Sequence, residues 1–97
     1  MPRVLIAAAD FELASGQHAA AEKYARDALR FSEAVARDPE SSADVGESLL
    51  MIVKSTAGKL AAAQRTTLLR RAVRCLTNGL SPEHRLTLEA RGLLDRQ

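Results

Sequence analysis

Two histidines and one cysteine are the side chains in this sequence whose chemistry could hold a metal or attack a substrate. His18 and His84 each stand near the start of a predicted helix, and no acidic or cysteine ligand is spaced to complete a metal site around either. Cys75 has arginines nearby in sequence, which could activate its thiol, but a free cysteine within an apolar helix commonly packs as a small hydrophobic side chain. We therefore predict no metal site and interpret Cys75 as a core residue.

Acid–base and phosphate chemistry are equally poorly supported. Asp10 and Glu12 are two positions apart, which places their carboxylates on different sides of a helix. Gly16 and Gly58 are isolated and follow no strand, so neither belongs to a glycine-rich phosphate loop. We expect a protein that is not an enzyme and that binds no cofactor.

Charge is distributed unevenly along the chain. Residues 1–53 carry five basic and nine acidic side chains, a net charge of −4, whereas residues 54–97 carry nine basic and three acidic, a net charge of +6. Arg70, Arg71 and Arg74 share a broad helix face and form a candidate anion-binding surface. Against nucleic acid, the net charge of the whole chain is only +2 and no aromatic residues interleave with the arginines for base stacking. Nucleic-acid binding is accordingly the less favoured alternative.

The size and composition indicate one small globular unit. The chain has 97 residues, of which 46% are hydrophobic and 27% charged, the balance of a packed domain. A single cysteine excludes an internal disulfide and favours a reducing compartment, so we expect a cytoplasmic protein. No apolar run approaches the length of a membrane span. Eleven arginines against three lysines hint at a bacterial source.

Hydrophobic periodicity and helix breakers predict an all-α fold of about five helices. The first two cover about 2–15 and 18–37, separated by Gly16 and ended by Asp38-Pro39. A third begins after Ser41 or Ser42 and ends before Gly58, a fourth covers about 60–77, and a fifth follows the capping pattern Ser81-Pro82-Glu83. The residues predicted to be buried are the apolar members of each helix stripe, namely Leu5, Ala8, Ala9, Leu13, Ala21, Tyr24, Ala25, Ala28, Leu29, Val35, Val45, Leu49, Ile52, Val53, Ala63, Leu69, Ala72, Val73, Leu76, Leu86, Ala90, Leu93 and Leu94.

The two halves of the chain resemble each other. The eight residues from Gly16 match those from Gly58 at a shift of 42 positions, sharing the glycine, three alanines and a basic residue. Farther along, Arg26–Arg30 matches Arg70–Arg74 at a shift of 44. A repeat of this length built from two helices is typical of a helical solenoid.

The segment from Leu13 to Leu29 resembles a tetratricopeptide repeat, in which a glycine turn is followed by small residues and a closing alanine–leucine pair. Its small positions fall on Ala21, Ala25 and Ala28, with Leu29 after them, although the usual aromatic of the first helix is missing and the unit of about 42 residues exceeds the typical 34. The resemblance implies a short right-handed solenoid with repeats at about 2–40 and 42–80 and a capping helix at about 82–95. A simple antiparallel helix bundle or a helical dimer is the structural alternative.

The resemblance also implies where a partner would bind. In that family the first helix of each pair lines a concave groove that holds a peptide or protein segment. With Ala21 and Ala63 taken as equivalent, the groove residues are Arg3, Ile6, Asp10, Leu13, Val45, Ser48, Ile52 and Ser55. Alternatively, their apolar members are buried against the fifth helix or a dimer mate, and the chain is a self-associating structural module or homo-oligomer. A protein- or peptide-binding adaptor is the leading interpretation.

Overall fold

The computed structural model describes residues 2–96, and every regular element in that range is helical. Five α-helices and one short 3₁₀ helix follow in chain order: α1 (Pro2–Ala14), α2 (His18–Val35), the 3₁₀ helix (Pro39–Ser41), α3 (Ala43–Ser55), α4 (Ala62–Gly79) and α5 (Arg85–Asp95). The predicted all-α class with five helices is confirmed. No helix in the described range combines the length and apolar character that crossing a bilayer requires.

The two predicted glycine bends separate paired helices. Gly16 lies between α1 and α2 with φ of +81°, and Gly58 lies between α3 and α4 with φ of +82°. Residues with a Cβ rarely adopt this left-handed conformation, so glycine suits both turns. Short turns of this kind return the chain antiparallel to itself and create two helical hairpins.

Local capping explains where α3 and α5 begin. The hydroxyl of Ser42 accepts a hydrogen bond from the Val45 backbone N–H, one of the two caps that the sequence predicted. The predicted cap at Ser81 is wrong. Instead, the ring of His84 accepts from the backbone N–H of Leu86, and α5 starts at Arg85 after a turn in which the His84 N–H donates to the Ser81 carbonyl.

Consecutive helices pack against each other along the chain, and α1 also contacts α3. The central helix is therefore α3, of whose 13 residues nine are buried. One apolar cluster joins α3, α4 and α5, and a second joins α1, α2 and α3. Leu29 and Leu68 pack against both clusters, so the two hairpins share one continuous core.

The predicted core is confirmed on its inner positions and wrong at its edges. The predicted residues that are buried are Ala9, Ala21, Ala25, Ala28, Val45, Leu49, Ile52, Val53, Leu69, Ala72, Leu76 and Ala90. Tyr24, Val35 and Ala63, in contrast, are exposed. On α2 the buried stripe consists of alanines and Ser32. Tyr24, Phe31 and Val35 lie at its border because no further helix covers that side among residues 2–96.

Candidate functional site

The first helices of the two hairpins and α5 together line a groove, which we call the α1/α3/α5 groove. Its volume is about 250 Å³. The lining residues are Arg3, Ile6, Ala7 and Asp10 from α1, Glu47, Leu50, Met51 and Lys54 from α3, and Arg85, Leu86 and Glu89 from α5. A second depression lined by Ala43, Asp44, Leu80 and His84 also includes Arg3, Glu47, Arg85 and Leu86, so the two form one surface. Three helices from different parts of the chain thus converge on a single concave face.

Ion pairs between neighbouring helices fix the walls of the groove. Arg3 Nη1 lies 3.0 Å from Asp44 Oδ1 and 2.6 Å from Glu47 Oε1, which ties α1 to α3. The hydrogen bond to Glu47, followed by that to Asp44, raises the pKa of the Arg3 guanidinium. Lys54 Nζ lies 2.8 Å from Glu89 Oε2 and ties α3 to α5. Each side chain also stays partly exposed to solvent, so the pairs border the groove and leave its opening free.

Two charged residues of the groove make no ion pair within the described part of the chain. Asp10 on α1 and Arg85 on α5 are exposed, and neither forms an ion pair or side-chain hydrogen bond with any of residues 2–96. The groove floor between them is apolar: Ile6, Leu50 and Met51 are almost completely buried beneath it. An exposed acid and an exposed base on opposite sides of an apolar floor can orient a ligand that carries both charges.

The structure brings together only part of the groove set predicted from sequence. Arg3, Ile6 and Asp10 line the α1/α3/α5 groove. Leu13 instead packs against the core cluster of α1, α2 and α3. The four predicted α3 residues are wrong, because Val45, Ser48, Ile52 and Ser55 are all buried. The Ser48 and Ser55 hydroxyls donate to the carbonyls of Asp44 and Met51 within their own helix, at 2.7 and 2.8 Å.

A wrong repeat shift explains the misplaced α3 residues. The groove residues of the two helices correspond at a constant shift of 44 positions: Arg3 with Glu47, Ile6 with Leu50, Ala7 with Met51, and Asp10 with Lys54. The two glycines themselves are 42 positions apart. The shift differs by two because Asp10 lies six residues before Gly16, whereas its counterpart Lys54 lies only four residues before Gly58. Two residues turn an α-helix by about 200°. The glycine-based alignment therefore selected the opposite side of α3.

A signal for the correct residues was present in the sequence. Arg26–Arg30 matches Arg70–Arg74 at a shift of 44, and the buried positions Ala25, Ala28 and Ser32 of α2 correspond to Leu69, Ala72 and Leu76 of α4 at the same shift. Helix faces follow this longer period. An alignment anchored on the second helices would have found Glu47, Leu50, Met51 and Lys54.

The predicted anion-binding arginines are largely committed to acids within the chain. Arg71 Nη1 lies 2.8 Å from Glu33 Oε2, and Arg71 Nε lies 2.9 Å from Glu40 Oε2. Arg74 Nη1 pairs with the other oxygen of Glu40, and Arg70 is exposed. The hydrogen bond from Arg71 is the main reason that the pKa of Glu40 is lowered from its usual value of 4.5. Two acids thus pair with Arg71 and Arg74, which leaves less positive charge for a phosphate than the sequence alone indicated.

The remaining candidates for chemistry have structural roles. Cys75 is buried, as predicted, and its Sγ lies 3.3 Å from the Pro39 carbonyl oxygen. Burial raises the pKa of the Cys75 thiol, which disfavours the reactive thiolate. His18 is exposed at the start of α2, with Nδ1 3.2 Å from the Gly16 carbonyl oxygen. Among residues 2–96, no three metal-ligating side chains come together.

Comparison with protein-family models finds no matching family, and searches of curated proteins and of solved structures find no match. The resemblance to tetratricopeptide repeats therefore depends on the residues and helix pattern of this chain alone.

Proposed function

We propose that this protein is a non-enzymatic interaction module whose α1/α3/α5 groove binds a peptide segment of a protein partner. The groove carries the proposal because it is formed by the first helix of each hairpin and by α5, the arrangement that a tetratricopeptide-like stack would use. In this proposal the two hairpins are degenerate repeats, α5 is the first helix of a third unit, and the protein acts in the cytoplasm. Proteins with this architecture commonly present a concave binding surface.

The chemistry of the groove specifies the segment that would fit. A basic side chain of the partner pairs with Asp10, an acidic side chain pairs with Arg85, and an apolar side chain between them covers the floor above Leu50 and Met51. The three ion pairs that border the groove tie α1 and α5 to α3 before binding, which limits the conformational entropy lost on the protein side. The preferred ligand is thus a short segment of mixed charge with a central apolar residue.

A displayed library of random peptides tests the proposal because it samples many candidate segments at once. The immobilised protein is used to select peptides, and the affinity of the enriched ones is measured by titration calorimetry. We expect enriched sequences to carry both charges and to bind with dissociation constants in the range of about 1 μM to 1 mM. Failure to enrich any peptide that binds more tightly than about 1 mM would contradict a peptide-binding groove.

A matched pair of variants shows whether the selected peptides occupy the groove. Ala7 and Ala63 are both exposed helix residues, but only Ala7 lines the groove, whereas Ala63 lines a separate depression between α2 and α4. We expect Ala7→Trp to fill the groove and weaken peptide binding at least about 10-fold, the scale of a lost interface anchor. Ala63→Trp should leave the affinity unchanged. Equal loss in both variants would place the binding site elsewhere.

A further inference from the structure

All three aromatic side chains of the protein are on its surface. Phe11 is 70% exposed, Tyr24 36% and Phe31 48%, and the chain has no tryptophan. Val4 and Val35, exposed by 58% and 66%, lie on the same hairpin. We call these five side chains the aromatic face. Aromatic residues stabilise a protein most when they are buried, so a group of exposed aromatic side chains marks a candidate contact surface.

Helix geometry gathers these side chains into two adjacent stripes. Val4 and Phe11 are seven residues apart and share one side of α1. On α2, Tyr24 and Phe31 are also seven apart, and Val35 follows after four more residues. The opposite edge of α2 carries Glu22 and Glu33, whose partners Lys59 and Arg71 come from the second hairpin and its connection. The aromatic face therefore lies on the side of the first hairpin that points away from the second.

The repeat period shows that this face occupies a helix-packing position. At the shift of 44, Val4, Phe11 and Phe31 correspond to Ser48, Ser55 and Cys75, which are each at most 1% exposed. Those second-hairpin positions are covered because the second hairpin has α1, α2 and the 3₁₀ helix beside it. The first hairpin has no equivalent neighbour among residues 2–96. The first hairpin carries the rings of Phe11 and Phe31 where the second hairpin has the small buried side chains of Ser55 and Cys75. Exposed large rings of this kind are typical of the residues that anchor an interface.

We propose that the aromatic face is covered by the same face of a second copy of this chain, in a two-fold symmetric dimer. A two-fold contact requires a surface that complements itself. The charged residues that flank the stripe on α2 are of both signs, Lys23, Asp27 and Arg30. Because Asp27 pairs with Arg30 within the same copy, only one uncompensated positive charge per copy lies beside the contact.

Outside the aromatic face, the exposed large apolar side chains among residues 2–96 are Leu80 and Leu88, which are single leucines without an exposed phenylalanine or tyrosine beside them. Leu88 lies on α5 between the arginines at 85 and 91. The apolar area that the aromatic face contributes is also sufficient for a weak dimer. Three rings of about 150–250 Å² each, roughly half exposed, together with two valines, supply several hundred Å² per copy. A standard interface buries about 800 Å² per partner, including its polar rim.

Sedimentation equilibrium of the full chain across protein concentration tests the dimer. We expect the mass to rise from 10.5 kDa to twice that value, and no further, between about 1 μM and about 1 mM. The fluorescence of Tyr24, in a chain with one tyrosine and no tryptophan, should change over the same range because the ring lies in the interface. A monomer at every concentration, or a mass that keeps increasing beyond the dimer, would overturn the proposal.

Matched substitutions locate the interface. Phe31→Glu should weaken dimerisation at least about 30-fold, and Phe11→Ser provides a second variant on the other helix of the face. Leu88→Glu makes the same kind of change on α5 and should leave the dissociation constant unaltered. Circular dichroism checks that each variant keeps its helices, as substitution of an exposed side chain should allow. If Leu88→Glu weakened the dimer as much as the substitutions on the aromatic face, the interface would lie elsewhere. Phe31 lies on α2, which contributes no residue to the groove, so loss of dimerisation in Phe31→Glu would leave the peptide-binding proposal intact.

Discussion

A Cβ added to Gly46 in α3 would lie 2.7 Å from Leu76 Cγ in α4, and 3.0 Å from the Cβ of Cys75. The two helices of the second hairpin thus approach each other at a residue that has no side chain. Because Leu76 is fully buried, its branched carbon cannot move away into solvent. Close approach at a small residue is how this protein builds a core that holds no aromatic rings.

Substitution of Gly46 by alanine should therefore lower the free energy of unfolding. The overpacked methyl group is expected to cost about 1–3 kcal/mol, more than the gain in helix propensity of about 1 kcal/mol. Gly92→Ala in α5 is the control, since the nearest atom to its added Cβ is Arg96 Nη2 at 3.5 Å, and it should be neutral or stabilising. Urea denaturation measures both. A Gly46→Ala variant as stable as Gly92→Ala would refute the close contact.

The bend at Gly58 gives a prediction that depends on the backbone alone. Its φ is +82°, and an added Cβ would meet no atom within 4 Å. Gly58→Ala should lower the free energy of unfolding by about 1–2 kcal/mol because an L-residue is strained in this conformation. Gly58→Asn should cost less, since asparagine tolerates the left-handed region better. Both are measured by urea denaturation, and identical stabilities of the alanine variant and the natural protein would argue against this turn geometry.

The cluster of Glu40 with Arg71 and Arg74 predicts acid sensitivity. The pKa of Glu40 is lower in the folded protein than its usual value of 4.5. The ionised carboxylate therefore stabilises the fold fully at pH values above 4.5, and this stabilisation is lost as the pH falls through the pKa of Glu40 in the folded protein. The side chain is 39% exposed, so the contribution is small, at most about 1 kcal/mol.

Glu40→Gln removes this contribution and isolates it. The difference in unfolding free energy between the natural protein and the variant should be largest near neutral pH and should shrink below pH 4.5. Glu83→Gln, at an exposed position before α5, should not reproduce this pH-dependent difference. The carboxylate charge would not be involved if the difference in unfolding free energy between the natural protein and Glu40→Gln stayed constant from neutral to acid pH.

Cys75 should resist modification in the folded protein. The thiol is buried and its pKa is raised, so a thiol reagent at neutral pH is expected to react at least about 100-fold more slowly than with the same cysteine in urea. Ala63→Cys places a second thiol at an exposed site as an internal reference and should react at once. If both thiols of that variant were modified at the same rate under native conditions, Cys75 would not be sequestered as the structure indicates.

Helix positions could be predicted well because their determinants are local. Three signals act within a few residues of themselves: the positive φ of Gly16, the helix cap of Ser42 and the proline after Asp38. Each therefore has the same local effect on the backbone whatever the overall fold is. His84 was missed as a cap because serine before proline is the commoner signal. The small residues Ala21, Ala25 and Ala28 also identified the packed side of α2 correctly.

The surface could not be predicted in the same way. Periodicity places Tyr24 beside the alanine stripe of α2, but whether another helix covers it depends on how the hairpins stack. The arginines of α4 gave a basic face in the sequence, and only the packing of the 3₁₀ helix against α4 brings Glu40 to Arg71 and Arg74. The groove residues of α3 were likewise missed by two positions.

The sequence by itself determined the five helices and the two glycine turns that pair α1 with α2 and α3 with α4. Helix-breaking residues, capping residues and the spacing of apolar side chains all act between residues that are close in sequence, so they can be recognised without the fold. Tertiary packing decided which sides of those helices face a neighbour, a groove or solvent. The physical reason is that a helix turns by about 100° per residue, so an offset of two positions between hairpins moves a side chain from the surface of α3 to its interior. Only the contacts between helices fix that offset.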